Sequence, residues 1–285
     1  MTENIKFGLY MPNFGESLGN ARIMAELAAD AEKAGWDGFF IWDHIIIDSD
    51  SPLPMVDPWV ALTAVAMNTK KIRFGTTITP LPRRRPWKLA RETVTLDQLS
   101  GGRLILSVGL GASPDFAAFG EETDPKTRAG KLDEGLEILT GLWKEEVFDY
   151  DGQYYKLNQV KFLLKPVQSP RIPIWVAGTW PNKAPFQRAA RWDGVIPLKA
   201  GFEEVFLTPD DFKNILEYIK KFNPNLRAFD VVCIGVTLEE DPEKDLEKIK
   251  SYINAGGNWW LEYIDEWRGS LKEIREIIRN GPKKP

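Results

Sequence analysis

The sequence predicts an α/β fold, a (β/α)₈ barrel, and three observations indicate it. Short apolar segments typical of buried strands alternate with amphipathic segments about eight times along the chain. The length of 285 residues is close to the roughly 250 of such a barrel. No linker or internal repeat interrupts the alternation, so we expect a single domain over residues 1–285. A doubly wound open sheet would use the same alternation with fewer strands.

The first half of the chain contains the first four strand–helix pairs. Apolar or β-branched segments predict strands at residues 5–11, 36–42, 72–79 and 103–110. Terminal signals mark the helices between them. Gly35 ends the first, and Asp57 with Pro58 begins the second. Pro86 begins the third, and Pro125 begins a long fourth helix.

An insertion follows the fourth helix. The segment FDYDGQYYKL predicts a short β-hairpin about Asp151-Gly152, and residues from about 146 to 170 are too few for a core of their own. The alternation then resumes with strands predicted at residues 172–177, 194–198, 230–238 and 258–264. Helices follow each of these strands, and the last begins with a capping box at Ser270 and Glu273.

Composition excludes several classes of protein. The formal charge of −4 gives no signature of nucleic-acid binding. The chain shows no signal peptide and no apolar run long enough to span a membrane, so we expect a cytoplasmic enzyme. One histidine and one cysteine leave only carboxylate ligation for a metal, and we predict no metal site. The cysteine, Cys233, lies in an apolar segment and is expected in the core.

Polar residues at the carboxyl ends of the strands are the candidates for an active site, because barrel enzymes work at that end. Asp43 and His44 directly follow the second strand, and His44 is the only histidine. A single histidine after a core strand can merely cap backbone groups. Histidine is also the side chain that titrates near neutral pH, which makes His44 a candidate for proton transfer.

Other features of the same end suggest an anionic ligand. Gly109 and Gly111 form a lone Gly-x-Gly, more often a tight turn than a nucleotide loop. The segment 177–179 (Ala-Gly-Thr) precedes a short helix, as a phosphate cradle would. Arg83 to Arg85 lie between two prolines, where they are either solvated or bind an anionic tail. Four tryptophans near this end serve either packing or a planar ligand: Trp42, Trp59, Trp87 and Trp180.

A glycosidase is the alternative from another class of enzyme. A barrel glycosidase would pair two carboxylates, and Asp115 after the fourth strand and Glu239 after the seventh are available for that. The tryptophans would suit the stacking of sugars. This alternative leaves the three arginines unexplained, and it gives no role to the Gly-Thr segment before the short helix.

Several segments together resemble the bacterial luciferase-like monooxygenase family, which includes coenzyme F420-dependent dehydrogenases. The matching segments are AEKAGWDGFFIWDH (31–44), FGTTITPLPRRRPWKLARETVTLDQLSGGRLILSVGLG (74–111), RAGKLDEGLEILTGLW (128–143), KPVQSPRIPIWVAGT (165–179) and RAARWDGVI (188–196). The resemblance covers roughly the first 200 residues. It implies the same barrel, with an insertion after the fourth helix.

The resemblance also implies roles for individual residues. Asp43 and His44 look like the Asp-His pair of the F420-dependent branch, in which the histidine handles a proton beside the cofactor ring. Three further segments are implied to contact the cofactor. Thr76, Thr77 and Ile78 form a strand end with a cis peptide bond at Thr77–Ile78, and Gly109 and Gly111 belong to the loop beside the ring. Ala177, Gly178 and Thr179 form the phosphate-binding segment.

The sequence also departs from these relatives. Ala112 stands where F420-dependent sugar-phosphate dehydrogenases have a glutamate, and EEDPEKD (239–245) is a short connection where luciferases have a long lid. We therefore predict hydride transfer between F420 and a small substrate, with Asp43 and His44 as catalytic residues and with Arg83 and Arg85 near an anionic tail. The alternatives are an FMN-dependent monooxygenase supplied by a separate reductase and a non-catalytic flavin-binding protein. A homodimer is expected from the family.

Overall fold

The computed structural model describes residues 5–48, 50–200, 206–237 and 241–285. Parallel strands form the centre of the molecule, and an antiparallel hairpin lies outside them. The strands in chain order are β1 (Lys6–Met11), β2 (Gly38–Ile41), β3 (Arg73–Thr76), β4 (Thr79–Pro80), β5 (Leu104–Gly109), β6 (Val147–Asp151), β7 (Lys156–Lys161), β8 (Ile174–Trp180), β9 (Gly194–Lys199), β10 (Asp230–Gly235) and β11 (Trp259–Tyr263).

The parallel strands close into a barrel. β1 pairs with β2 on one side and with β11 on the other, and β3 completes the circle by pairing with β5. β3 and β4 are two parts of one barrel strand, separated by Thr77 and Ile78, so the closed barrel has eight strands. The predicted (β/α)₈ barrel is confirmed, and the open-sheet alternative is wrong because such a sheet does not close.

Helices surround the barrel. They are α1 (Ala21–Ala34), α2 (Pro58–Asn68), α3 (Pro86–Ser100), α4 (Ser113–Ala117), α5 (Pro125–Leu142), α6 (Ala184–Ala189), α7 (Pro209–Lys220), α8 (Pro242–Asn254) and α9 (Leu271–Asn280). The predicted end signals act as expected: Gly35 is left-handed at the end of α1, the Asp57 side chain accepts from the Val60 N–H, and Ser270 and Glu273 form the capping box. No described helix has the length and apolarity to cross a membrane.

The predicted hairpin consists of β6 and β7, which pair from Val147↔Lys161 to Asp151↔Lys156. Its connection is the four-residue loop 152–155, one step beyond the predicted Asp151-Gly152 turn. Glu134 on α5 anchors this loop, because its carboxylate accepts hydrogen bonds from the backbone N–H groups of Gln153, Tyr154 and Tyr155. The hairpin tip is thereby fixed to α5.

Large side chains fill the interior of the barrel. Phe40, Trp175 and Trp259 are at most 1% exposed, and the two indole rings pack edge-to-face at 5.3 Å. Cys233 is buried as predicted, and burial raises the pKa of its thiol. Since the interior is a packed core, a ligand site must lie at an end of the barrel.

Candidate active site

His44 is held in a fixed orientation at the carboxyl end of β2. Its side chain is 27% exposed, and its Nδ1 lies 2.8 Å from Oδ2 of Asp115, which is 1% exposed. Asn13, at the end of β1, fixes the backbone: its Nδ2 donates to the carbonyl of His44 at 2.9 Å and its Oδ1 accepts the His44 N–H. Among the described residues, Nε2 of His44 makes no hydrogen bond, so this atom is left for a ligand.

Asp115 is ionised in this setting. Burial by itself would raise its pKa, but hydrogen bonding and charge from His44, the Arg83 guanidinium and the Ile46 N–H together hold the pKa of Asp115 below its usual value. Its Oδ1 accepts the backbone N–H of Ile46 at 3.2 Å, and its Oδ2 faces His44. An ionised carboxylate only accepts hydrogen bonds, so Nδ1 of His44 is the donor.

Asp43, the residue before His44, is buried and fully engaged. The residue is 2% exposed, and its carboxylate accepts hydrogen bonds from Arg84 at 2.7 and 2.9 Å, from Arg83 at 3.2 Å and from the Trp59 indole at 3.4 Å. Arg83 also lies 3.3 Å from Oδ2 of Asp115, so its guanidinium bridges the two aspartates. Of the adjacent pair, Asp43 is therefore directed into the protein and His44 toward the surface.

The arginine triplet divides in the same way. The side chains of Arg83 and Arg84 are 6% and 19% exposed, and both are paired with Asp43 inside the protein. Arg85 is exposed, lies 6.0 Å from the Trp87 ring and makes no ion pair with a carboxylate of the described residues. It lines a cleft of about 340 Å³ together with Lys131 on α5 and Tyr154 on the hairpin tip.

The strand break after β3 matches the position implied by the resemblance, because the Thr77–Ile78 peptide bond is cis. The hydroxyl of Thr76 bonds to that of Thr79 at 2.7 Å. The hydroxyl of Thr77 is buried and has no hydrogen-bond partner among the described residues. Ile78 packs against the side chains that fill the barrel.

Gly109 brings two strand ends together. A Cβ on Gly109 would lie 3.0 Å from Cγ2 of Ile78 and 3.4 Å from Cβ of Ala177. Three of the predicted site residues, Ile78 after β3, Gly109 in β5 and Ala177 in β8, are therefore in close contact, and the approach leaves little room for a side chain at Gly109.

The Gly-x-Gly turn packs closely on Pro80 and accepts a hydrogen bond from a buried arginine. Gly111 has φ of +77°, and a Cβ there would lie 2.5 Å from Cβ of Pro80. Arg128 on α5 is 3% exposed, donates to the Gly111 carbonyl at 3.2 Å and lies 4.7 Å from the Phe116 ring. No signal in the sequence marks this arginine as buried, since a charged residue in a polar stretch of a helix predicts a solvated face.

The segment 177–179 is part of a strand and not a loop. β8 continues through it to Trp180, and Gly178 packs on α6, where a Cβ would lie 2.7 Å from Cβ of Pro185. Thr179 is exposed at the strand end. The nearby Lys183 lies 3.5 Å from the Trp180 ring. The structure thus separates Thr179, which is open to a ligand, from Gly178, which is required for packing.

An aromatic cluster borders His44. The Trp42 ring lies 5.7 Å from the imidazole and stacks on Tyr263 at 5.9 Å, and Tyr10 contacts both rings. The indole N–H of Trp42 is buried without a hydrogen-bond partner among the described residues. Of the four tryptophans noted in the sequence, Trp42 is the one in ring contact with His44.

Comparison with known proteins identifies the family. Residues 5–279 match the profile of the luciferase-like monooxygenases. The chain belongs to this family. An F420-dependent glucose-6-phosphate dehydrogenase of Amycolatopsis mediterranei is 32% identical over 93% of this chain and 78% of that protein. The oxygenase component of a flavin-dependent trigonelline monooxygenase of Acinetobacter baylyi is 26% identical over 89% of this chain and 68% of that protein.

Solved structures of low sequence identity share the fold. The coenzyme F420-dependent tetrahydromethanopterin reductase from Methanopyrus kandleri has a TM-score of 0.79 at 18% identity and covers 98% of both chains. The oxygenating constituent of 3,6-diketocamphane monooxygenase from Pseudomonas putida, in complex with FMN, has a TM-score of 0.75 at 18% identity over 97% of this chain and 98% of that one. The relatives include F420-dependent and flavin-dependent enzymes, and on this basis the luciferase-like chain is an oxidoreductase.

The glycosidase alternative does not fit this luciferase-like site. A general acid of a glycosidase needs a raised pKa, whereas the pKa of Asp115 is lowered and its oxygens are engaged. Glu239, the second carboxylate of that hypothesis, lies outside the described residues. Within the described part of the chain, no three His, Cys, Asp or Glu side chains are grouped as a metal site requires.

Proposed function

We propose that this protein transfers a hydride between coenzyme F420 and a small organic substrate, with His44 moving the accompanying proton. The observation that carries the proposal is the partly exposed imidazole of His44 at the strand ends, fixed through Nδ1 by a buried carboxylate and, among the described residues, free of hydrogen bonds at Nε2. A general acid or base must present one nitrogen toward the reacting group, and this geometry does so.

The residues around His44 fit a flavin-type ring. Thr77 and Trp42 each contribute a buried polar group without a partner among the described residues, as expected where a polar ligand completes the hydrogen bonding. Ile78 and Gly109 form an apolar surface on which a ring would lie, and Thr179 is open to a phosphate. When bound, the cofactor would supply the hydride chemistry; the chain orients it, excludes water and handles a proton at Nε2 of His44.

The preference for F420 over FMN rests on the Asp43–His44 pair and on two basic side chains, Arg85 and Lys131, in a cleft that Glu121 and Glu122 also line. Asp43 is saturated with hydrogen bonds, so we assign it the support of Arg83 and Arg84 and leave proton transfer to His44. We assign an acidic tail of the cofactor to Arg85 and Lys131, which line the cleft of about 340 Å³. Arg83 would then act indirectly, since its guanidinium faces two aspartates.

A second candidate is an FMN-dependent monooxygenase supplied with reduced flavin by a separate reductase. The relative named as the oxygenase component of a trigonelline monooxygenase favours it, as does the fold shared with a monooxygenase solved with FMN. The unpartnered groups of Thr77 and Trp42 would serve either ring.

The deciding experiment is a titration of the purified protein with F420 and with FMN, each oxidised and reduced, followed by tryptophan fluorescence. Selective binding of F420 is the expected result, and the fluorescence of Trp42 should report it because this residue borders the proposed ring site. Selective binding of FMN would replace the proposal by the second candidate, and binding of neither would refute both. A His44→Ala variant should keep the affinity for the cofactor and lose turnover; unchanged turnover would remove His44 from the mechanism.

We also propose that the enzyme is a cytosolic homodimer joined through α2. Val60 and Met67 are 64% and 66% exposed and lie seven positions apart, on one face of this helix. Leu99, 46% exposed, lies on α3, which packs against α2. Met67→Asp should convert the dimer to a monomer in analytical ultracentrifugation. A wild-type monomer, or a variant that remains dimeric, would contradict this surface.

A further inference from the structure

We infer that Asp115 is a positioning residue that sets the tautomer of His44, with the proton of the neutral ring on Nδ1 and with Nε2 left to exchange a proton with the ligand. The inference rests on the proposed function for the role of His44 in the reaction. It goes beyond that function by assigning the group that prepares His44 for the transfer.

The two oxygens of Asp115 have separate tasks. Oδ1 accepts the backbone N–H groups of Ile46 at 3.2 Å and of Ile45 at 3.4 Å, which fixes the rotation of the carboxylate. Oδ2 is then directed at Nδ1 of His44, 2.8 Å away. The identity of the protonated ring nitrogen is set by the hydrogen bond that the ring makes, so this contact places the proton on Nδ1.

Arg83 keeps this arrangement charged. Its Nη1 lies 3.3 Å from Oδ2 of Asp115 and its Nη2 lies 3.2 Å from Oδ1 of Asp43, and the side chain is 6% exposed. A buried guanidinium this close to Asp115 favours the ionised form of that carboxyl group. Asp115 therefore accepts the hydrogen bond of the imidazole without taking its proton, and the second nitrogen remains available to exchange a proton with substrate.

This division of tasks predicts the effect of an isosteric change. In Asp115→Asn, two fixed donors, the N–H groups of Ile45 and Ile46, face the Oδ1 position. The Oδ2 position faces one fixed donor, the Arg83 guanidinium, and the imidazole, whose proton can move. We therefore expect the amide oxygen to stay with the two backbone N–H groups and the amide NH₂ to point at His44. An NH₂ group donates, so Nδ1 must become the acceptor and the proton must move to Nε2. The substitution thus inverts the tautomer with almost no change of shape.

The chain allows this inversion to be measured directly, because His44 is the only histidine. In protein labelled with ¹⁵N-histidine, long-range ¹H–¹⁵N spectra of the neutral ring report which nitrogen carries the proton. We expect the Nδ1–H form in the wild type and the Nε2–H form in Asp115→Asn. Asp133→Asn is the matched control, since Asp133 is also paired with arginines but lies away from His44; its spectrum should equal that of the wild type.

The kinetic measurement separates positioning from folding. Asp115→Asn should lower kcat on the order of 10²- to 10⁴-fold with little change in KM, the scale seen when a catalytic histidine is held in the wrong tautomer. Asp115→Glu should restore the Nδ1–H form and part of kcat. A wild-type ring in the Nε2–H form would overturn the inference even if every variant fails to fold. So would an inverted tautomer with unchanged kcat, whereas failure of cofactor binding would refute the proposed function alone.

Discussion

Removal of the Asp43 carboxylate tests the ion-pair network beneath the site. In Asp43→Ala, Arg84 loses both of its carboxylate contacts at 2.7 and 2.9 Å, and Arg83 keeps only Asp115 and a backbone carbonyl. Arg84 is 19% exposed, so water replaces little of what is lost. Leaving a buried charge without its partner costs about 3–5 kcal/mol. At roughly 2–4 °C per kcal/mol, the melting temperature should fall by roughly 10 °C.

The free energy of unfolding from urea denaturation measures this cost, with Glu276→Ala as the control. Glu276 pairs with Lys272 on the surface, so its removal should change stability by less than about 1 kcal/mol. In Asp43→Ala with Arg84→Met, the orphaned charge is gone and part of the stability should return. A loss in Asp43→Ala no larger than in the control would refute the argument, and so would a double variant no more stable than the single one.

Three further predictions follow from the same contacts. The pKa of Asp115 is lowered by folding, so the ionised carboxylate stabilises the folded state above the unfolded pKa of about 3.9. This stabilisation is lost as the pH falls through the lower pKa of the folded state. In urea titrations, the difference in unfolding free energy between wild type and Asp115→Asn should therefore shrink between pH 6 and pH 3. Gly111→Ala should lower the free energy of unfolding by about 1–3 kcal/mol, because φ is +77° and Pro80 would lie 2.5 Å from the new Cβ. Gly120→Ala, with φ of +66° and open space around the new Cβ, should lower it less. Equal losses would refute the role of the contact with Pro80. Arg85→Ala with Lys131→Ala should weaken binding of F420 but not of a tail-less deazaflavin, and equal effects on both ligands in a titration would contradict the cleft assignment.

Much of the fold is predictable because its signals are local. Apolar segments of strand length and terminal residues such as Asp57, Gly35 and Ser270 mark elements without reference to the rest of the chain. α4 and the two 3₁₀ turns, Leu81–Arg83 and Glu266–Arg268, were not predicted. Elements of three to five residues make few hydrogen bonds of their own, and they form only because the barrel ends hold them.

The candidate site was predictable in position but not in its pairing. The strand ends identified His44, Thr77 and Gly109 because barrel topology collects such residues at one end. The contact between His44 and Asp115 spans 71 residues, and no local pattern encodes it. Asp115 was noticed in the sequence for a different chemistry, as one of two glycosidase carboxylates. Only the contact between the side chains shows that its oxygens serve an imidazole.

The three arginines show the same limit of sequence reasoning from the opposite side. A run of like charges predicts solvation or an anionic ligand, yet Arg83 and Arg84 neutralise Asp43 and Asp115 inside the protein. This pairing also determines which residue can transfer a proton. Asp43 has its oxygens saturated by donors and Asp115 is kept ionised by its neighbours. Of the two aspartates and the histidine, His44 alone combines exposure with a nitrogen free of hydrogen bonds to the described residues. Of these three side chains, the buried charges therefore leave only His44 for the proposed proton exchange.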